Sequence, residues 1–133
     1  MMGKIKFRAW DKKDRVIRDV VGMSFYHDSV SVNIEHGRYL QDDARRFELM
    51  QYTGLKDKNG AEIYEGDILS TDLDRPYLIV EFRNGAFMFQ CHDNGKDYYD
   101  FMATTGENSN FTKYHEVIGN IFENPELLER DGK

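Results

Sequence analysis

QYTGLKDKNGAEIYEGDIL, residues 51–69, holds the densest turn chemistry in the chain and predicts how the strands around it are arranged. Its centre, DKNG at residues 57–60, predicts a β-hairpin, because asparagine–glycine steps favour tight reversals. A second sharp turn is predicted at Gly66-Asp67, since glycine adopts backbone angles that other residues avoid and aspartate hydrogen-bonds nearby amides. Apolar residues directly after it begin another strand. The stretch is interpreted as a structural turn cassette, with a binding loop as the alternative.

Two registers compete for the central hairpin. A two-residue type I′ turn would place two acids, Asp57 and Glu62, opposite each other, which is unfavourable. A type I turn with its final glycine left-handed, as a bulge, would instead pair Lys56 with Glu62 and Leu55 with Ile63. Each good cross-strand pair contributes roughly 0.2–1 kcal/mol. The pairs therefore predict the bulged hairpin.

Four stretches of the chain carry a family resemblance. Residues 51–60 (QYTGLKDKNG) and 63–68 (IYEGDI) look like the signature of the YopX-like family of phage and prophage proteins. Residues 7–11 (FRAWD) and 117–128 (VIGNIFENPELL) fit the same family. The resemblance therefore spans most of the chain.

The resemblance implies an architecture and leaves the activity open. It implies a mainly β protein with an SH3-like small barrel in its C-terminal part, encoded by phages or prophages and without an established activity. We predict a single domain over residues 1–133, with an N-terminal β-hairpin subdomain at 1–50. The barrel is expected at residues 51–123 and a short C-terminal helix at residues 124–130. The family supplies no catalytic residues that could be assigned to this chain.

Length and composition indicate a cytoplasmic globular domain. A chain of 133 residues is the usual size of one domain and can bury an apolar core without stabilising disulfide bonds or metal ions. A single cysteine, Cys91, forms no internal disulfide, so nothing indicates an oxidising compartment. No apolar run reaches the roughly 20 residues that span a bilayer, and no secretory signal is expected. We predict the host cell cytoplasm and no membrane partner.

The charge is distributed unevenly along the chain. The net charge of −6 opposes nonspecific binding of nucleic acid by the whole surface. Residues 1–21 nevertheless carry a net charge of +4, and residues 22–133 carry −10. This asymmetry raises two hypotheses, a basic binding face near the N-terminus and head-to-tail self-association into a homo-oligomer.

The first strand supplies the candidate nucleic-acid face. Residues 4–10 alternate between apolar and basic side chains, as a half-buried strand does. A three- or five-residue loop to the strand at residues 16–21 would bring Arg18 onto the same face as Trp10. Basic side chains with an aromatic ring suit a phosphate backbone and a stacked base, although an ordinary solvated face has the same pattern. The candidate residues are Lys4, Lys6, Arg8, Trp10 and Arg18.

Short strands and one helical turn are predicted in the middle of the N-terminal half. Phe25-Tyr26 and residues 30–34 predict strands joined by a turn. Residues 42–46 (DDARR) predict one helical turn, because aspartate caps a helix start and arginine suits its end. A strand is then predicted from Phe47 into the central hairpin, with a continued helix over residues 47–53 capped by Gly54 as the alternative.

The C-terminal half shows one further hairpin and a capped helix. Asn84-Gly85 predicts a two-residue type I′ turn that pairs Phe82 with Phe87 and Val80 with Phe89. Polar loops are predicted at 91–97 and 105–110, around a strand at residues 98–103. After a last strand at residues 115–122, Asn124-Pro125-Glu126 is predicted to cap a short helix.

Catalytic and metal-binding patterns are missing from the sequence. Cys91 and His92 are adjacent, so on a strand they point to opposite faces and form no nucleophile–base pair. Glu62, Glu65 and Asp67 cluster around the central turns, where turn formation and solvation explain them better than a cation site. We therefore expect a non-enzymatic protein that needs no cofactor and no metal.

The preferred hypothesis is a protein-interaction module that binds a host or phage protein. Aromatic side chains near the barrel loops are the candidate contacts, although aromatic rings more often pack in cores. The candidate protein-binding residues are Tyr64, Tyr77, Tyr98 and Tyr99. The alternative is nucleic-acid binding through the basic N-terminal strand face.

Overall fold

A computed structural model gives the fold, and it describes residues 5–27, 29–36, 38–70, 77–93, 96–101 and 115–129. Within these residues the chain is mainly β, as predicted, with two antiparallel sheets. The strands are β1 (Phe7–Asp11), β2 (Val16–Tyr26), β3 (Ser29–His36), β4 (Arg38–Asp43), β5 (Phe47–Lys56), β6 (Glu62–Tyr64), β7 (Asp67–Ser70), β8 (Leu78–Arg83), β9 (Ala86–Asp93), β10 (Lys96–Phe101) and β11 (Glu116–Asn120). A 3₁₀ turn lies at Ala44–Arg46, and helix α1 at Glu126–Glu129.

The chain divides into two compact units, residues 1–52 and 53–133. The boundary falls within β5, whose last four residues belong to the second unit. One sheet has the strand order β4-β3-β2-β1-β5-β6, and the other has the order β10-β9-β8-β7-β11. The N-terminal unit contains β1 to β4 and most of β5. Strand β4 was not predicted from the sequence, and Phe25-Tyr26 belong to β2 instead of forming a separate strand.

The N-terminal unit has its own apolar core. Ala9, Val32, Ile34 and Phe47 are buried together. Further side chains pack on them, namely Val20, Met23, Ala44 and Leu49. The strand from Phe47 is confirmed. The helical turn is confirmed too, since Asp43 caps the turn at Ala44–Arg46 by accepting from the Arg45 amide, although Asp42 and Asp43 also end β4.

The β1–β2 turn differs from the predicted one. Four residues, Lys12 to Arg15, connect the strands, so Trp10 pairs with Ile17 and Ala9 pairs with Arg18. Arg15 is left-handed, with a φ of 56°, and its amide donates to the Asp11 carbonyl at 2.6 Å. The predicted register, with Arg18 on the face of Trp10, is wrong because this even-numbered turn moves Arg18 to the other face.

The C-terminal unit has a second apolar core. Ile63, Leu69, Leu78 and Val80 are buried together. The side chains that pack against them are Leu55, Phe87, Phe89 and Val117. The described residues show an antiparallel five-stranded sheet here and no closed barrel.

The central hairpin has the predicted bulged turn. The Gly60 amide donates to the Asp57 carbonyl at 3.0 Å, and Gly60 is left-handed with a φ of 86°. The Asp57 amide donates to the Ala61 carbonyl at 2.8 Å, which sets the register that places Lys56 opposite Glu62. The prediction is confirmed.

The β8–β9 hairpin is also confirmed. Asn84 and Gly85 both have positive φ angles, 53° and 83°, as a type I′ turn requires. Phe82 pairs with Phe87, and their ring centroids lie 5.0 Å apart in an edge-to-face arrangement. Phe82 is 47% exposed, so its ring packs on Phe87 at the surface of the hairpin instead of being buried in the core.

Two boundaries in the C-terminal unit differ from the predictions. Strand β9 extends through Asp93 and β10 begins at Lys96, so the loop expected at residues 91–97 is shorter. The loop expected at residues 105–110 lies outside the described residues. No helix in the described part of the chain is long and apolar enough to cross a membrane.

Candidate functional site

The N-terminal unit contains an ion-pair network centred on Asp11, whose side chain is fully buried. Arg46 donates from Nε to Oδ1 at 2.9 Å and from Nη2 to Oδ2 at 2.7 Å, and Arg18 Nε donates to Oδ2 at 2.9 Å. The amides of Lys13 and Asp14 donate to Oδ1 at 3.0 and 3.1 Å. Asp11 therefore joins the β1–β2 turn to an arginine that lies 35 residues further along the chain.

These contacts fix the charge of the network. The hydrogen bond from Arg46 is the main cause that lowers the pKa of Asp11, burial opposes it, and Arg18 lowers it further. The pKa of Asp11 therefore lies well below its usual range. The same carboxylate raises the pKa values of Arg46 and Arg18. A carboxylate that is ionised and saturated with donors is a poor general base.

Asp11 is expected to make the N-terminal unit acid-sensitive. Because the folded-state pKa of Asp11 is lowered, the unfolded chain binds more protons in acid. The stabilisation that Asp11 gives the folded state is complete at pH values well above the unfolded-state pKa of about 3.9. It is lost progressively as the pH falls below about 5. Urea unfolding followed by fluorescence of Trp10, the single tryptophan, should show this loss.

The matched variant for the pH experiment is Asp11→Asn, measured with a stabilising osmolyte. It should lose much of the slope of unfolding free energy against pH in this acid range, since the titrating group is gone. An unchanged slope in the variant would assign the acid sensitivity to other carboxyl groups.

The predicted nucleic-acid residues do not all lie on one face. Lys4 lies outside the described residues, and Lys6 and Arg8 are half-buried. Trp10 is 7% exposed, and the guanidinium carbon of Arg15 lies 5.7 Å from its ring centroid. The remaining candidate, Arg18, lies on the opposite sheet face and is bound to Asp11.

The four candidate tyrosines are likewise not one surface. Tyr64 is buried, and its hydroxyl donates to Glu62 Oε1 at 3.1 Å. Tyr77 is half-buried just before β8. Tyr98 and Tyr99 lie on β10, and their side chains are outside the described part of the structure.

The buried carboxylate of Asp57 connects the central turn to strand β11. Its side chain is 6% exposed, and Oδ1 accepts from the amides of Asn59 at 2.8 Å and Ala61 at 2.9 Å. Its Oδ2 accepts from the amide of Val117 on β11 at 2.9 Å. Burial acts to raise the pKa of Asp57, but the three amides outweigh it and the pKa is lowered. The arrangement supports the structural-cassette interpretation.

A turn centred on Asn120 ends β11. Asn120 is buried, and its Oδ1 accepts from the amides of Phe122 at 3.0 Å and Glu123 at 2.9 Å. Asn124 was predicted as a helix cap, but its Oδ1 accepts from the Asn120 amide at 3.2 Å. A Cβ on Gly119 would lie 2.5 Å from that oxygen, so this turn requires glycine.

Asp67 serves the second predicted turn, beside Gly66. Asp67 is fully buried, and its Oδ2 accepts from the Tyr64 amide at 2.8 Å. Gly66 has a φ of 89°, as the turn chemistry predicts. Among the described residues, no group of three or more histidine, cysteine, aspartate or glutamate side chains could hold a metal ion.

Among the residues that the structure describes, the most exposed pair of adjacent aromatic side chains lies at the end of β2. Phe25 and Tyr26 are each 73% exposed, and the Tyr26 ring stacks edge-on against His27 with centroids 4.3 Å apart. His27 is left-handed, with a φ of 53°, which directs the chain into β3. Phe25 pairs with Val30, so the two side chains share a face of the hairpin.

A shallow cavity of about 420 Å³ lies on the Phe25 face of the hairpin, since it is lined by Val30, the residue that pairs with Phe25. Val30 lines it together with Ala44 and Arg45. The Arg45 side chain is 93% exposed, and its Nε and Nη2 donate to Asp43 at 3.0 and 3.2 Å. The hydrogen bond from Arg45 lowers the pKa of Asp43, so the pair stays ionised. We call Phe25, Tyr26, Val30, Ala44 and Arg45 the hairpin-tip surface.

The hairpin-tip surface is not among the sites predicted from the sequence. A signal was present, because adjacent side chains of a strand point to opposite faces and Phe25 and Tyr26 cannot both enter one core. Which of the two would be exposed depends on how far the core extends along β2. The core ends near Met23, so Phe25 lies beyond it on the same face, and Tyr26 points to the opposite face of the strand; both rings are exposed.

Comparisons with known proteins match this chain to a family and to a solved structure. The sequence model of the family described as "YopX protein" matches residues 6–129. The crystal structure of protein EF1440 from Enterococcus faecalis is similar, with 28% sequence identity and a TM-score of 0.52. That alignment covers 96% of this chain and 99% of the other. The comparison with curated proteins gives no match.

Proposed function

Because this chain belongs to the YopX protein family, we propose that it is a phage or prophage accessory protein that acts as a non-enzymatic protein-interaction module. The observation that carries the proposal is the hairpin-tip surface, where Phe25 and Tyr26 are each 73% exposed. Its partner is a host or phage protein in the host cytoplasm. An SH3-like arrangement of the C-terminal sheet is part of the same proposal.

The chemistry of the hairpin-tip surface suits a protein partner. Aromatic rings offer large apolar area with few rotatable bonds, and tyrosine adds a hydroxyl group for hydrogen bonding. Arg45 provides a charged rim beside the apolar Val30 and Ala44. Isolated exposed apolar residues are ordinary, but this hairpin tip exposes an aromatic ring on each of its two faces, so a partner that contacts both faces would cover both rings.

The buried carboxylates support a role without catalysis. Asp11 and Asp57 carry the described ionic and amide networks, and both have lowered pKa values. A general base works best with a pKa near the operating pH, and lowered values move these groups away from it. These acids are therefore better suited to holding turns than to moving protons.

Nucleic-acid binding remains the competing hypothesis. The burial of Trp10 and the engagement of Arg18 by Asp11 weaken it, because a stacked base needs an exposed ring and a phosphate needs an available cation. It requires an affinity that falls steeply as salt is raised. Absence of binding to single- and double-stranded DNA and RNA at low salt would remove it.

The proposal is tested by photo-crosslinking inside host cells. A photoreactive phenylalanine analogue at position 25 or 26 is expected to trap one protein adduct of the same size from both positions. The matched control carries the analogue at Val16, which is 38% exposed at the other end of β2. An adduct at all three positions, or at none, would contradict the proposal.

A matched pair of alanine variants gives the affinity. With the trapped protein as ligand, Phe25→Ala should weaken binding by about tenfold or more, as removal of a central aromatic contact costs about 1.4 kcal/mol or more. Phe82→Ala removes another exposed phenylalanine, 47% exposed on the β8–β9 hairpin, and should leave the affinity unchanged. Equal losses in the two variants would indicate a general effect on folding.

A further inference from the structure

Two turns carry the same asparagine–glycine dipeptide in different hydrogen-bonded settings. Asn59-Gly60 lies in the central hairpin, and Asn84-Gly85 lies in the β8–β9 hairpin. All four residues are exposed, so water reaches both turns. The third such step, Asn94-Gly95, lies outside the described residues. Any difference in reactivity between the first two steps must therefore come from how their backbones are held.

The backbone of Asn59-Gly60 is held at several points. The Asn59 amide donates to Asp57 Oδ1 at 2.8 Å, and the Gly60 amide donates to the Asp57 carbonyl at 3.0 Å. The Lys58 amide donates to the carbonyl of His115 at 3.0 Å, which fixes the turn to the chain before β11. Rotation of the Asn59 side chain and backbone toward a reactive geometry would break several of these contacts.

In the described part of the chain, the backbone of Asn84-Gly85 is held only by the strand pairing on either side of it. Arg83 pairs with Ala86 across the hairpin, and the turn residues lie beyond that pair. Within the described residues, the Gly85 amide makes no hydrogen bond. Asn84 has a φ of 53°, in the left-handed region that only short polar side chains and glycine tolerate well. This turn can open without disturbing the C-terminal core.

We propose that Asn84 is a site of spontaneous deamidation in the folded protein, and that Asn59 is protected. The Gly85 amide nitrogen, after losing its proton, attacks the side-chain Cγ of Asn84. A bond forms between them, the Cγ–N bond breaks, and ammonia leaves with the proton to give a five-membered succinimide. Water then opens the ring at either carbonyl and gives aspartate or isoaspartate. No oxidant, reductant or cofactor enters the reaction.

The two products affect the hairpin differently. Aspartate keeps the main chain unchanged and tolerates the left-handed conformation. Isoaspartate routes the main chain through the side chain and adds a methylene group to a two-residue turn. The pairing of Phe82 with Phe87 depends on that turn length. Accumulation of isoaspartate should therefore loosen the hairpin whose Phe87 and Phe89 pack on the C-terminal core.

Peptide mapping of the full chain after incubation in mildly alkaline buffer tests the proposal. Mass spectrometry with fragmentation assigns the deamidation to Asn59, Asn84 or Asn94 separately. We expect Asn84 to react about tenfold faster than Asn59 in the folded protein, since tenfold corresponds to about 1.4 kcal/mol and one net hydrogen bond contributes a comparable amount. In concentrated urea, where neither turn persists, the two rates should converge. Equal rates in the folded chain, or a faster Asn59, would overturn the proposal.

The variant Asp57→Ala tests whether the Asp57 carboxylate protects Asn59 from deamidation. Asp57→Ala deletes the carboxylate that holds the Asn59 amide, so the rate at Asn59 should rise toward that at Asn84. The rate at Asn84 should stay the same if the chain remains folded, and circular dichroism checks the fold. Asn84→Gln should abolish the reaction at position 84, because a longer side chain forms the ring far more slowly. A rate at Asn59 that Asp57→Ala leaves unchanged would contradict the protective role of the carboxylate.

Discussion

Asp11→Ala is expected to lower the free energy of unfolding by about 3–5 kcal/mol, the cost of removing one partner from a buried ion pair. The carboxylate accepts from Arg18 and Arg46, whose side chains are only 11% and 13% exposed. Without it, two guanidinium groups stay in a largely dry site with fewer acceptors. The amides of the β1–β2 turn also lose their acceptor. Urea unfolding monitored by Trp10 fluorescence measures the change.

The matched control for Asp11→Ala is Glu48→Ala. Glu48 is 52% exposed and lies 3.7 Å from Lys12, so its removal deletes an acid from a solvated ion pair. Such pairs contribute about 0–1 kcal/mol. A loss of the same size in both variants would mean that the buried network contributes no more than an exposed pair, which would refute the expectation.

Asp57→Ala is expected to cost about 2–4 kcal/mol, because three backbone amides lose one charged acceptor. Two of them belong to the central turn, and the third, that of Val117, belongs to β11. Hydrogen exchange should speed up at Val117 and at Ala61 together. These amides lie 56 residues apart in sequence, so a joint effect identifies the shared side chain.

Asp57→Asn separates the two functions of the side chain. An asparagine has a single acceptor oxygen, so it can satisfy either the turn or β11, and exchange should stay slow on one side only. Glu126→Ala, at an exposed position of α1, is the charge-matched control and should change stability by less than about 0.5 kcal/mol. Exchange at Val117 that is unaffected in both Asp57 variants would show that β11 is held by other contacts.

The turns were predictable because their signals are local. Gly60 and the Asn84-Gly85 pair need positive φ angles, and these residue types adopt them at low cost. Cross-strand pairing then chose between the registers from neighbouring residues alone. The same reasoning missed the β1–β2 register, since the leading signal there is the buried side chain of Asp11, which sequence alone does not reveal.

The candidate sites were less predictable than the fold. Alternation on the first strand correctly separates Trp10 from Ala9, but it does not say which face another element covers. Tyr64 was chosen for its ring and proved buried, whereas Phe25 and Tyr26 were read only as strand residues and proved exposed. Side-chain exposure depends on where each core ends, and that depends on all the strands of a unit.

By itself, the sequence determined the mainly β character, the family and the geometry of the two glycine-containing hairpins, because backbone preferences and turn chemistry act over a few residues. Tertiary structure alone decided that Asp11 meets Arg46 and that Asp57 meets Val117, contacts that span 35 and 60 residues. It also decided which aromatic rings remain in water. Such contacts require strands distant in sequence to pair, and only the complete set of pairings fixes which side chains are buried.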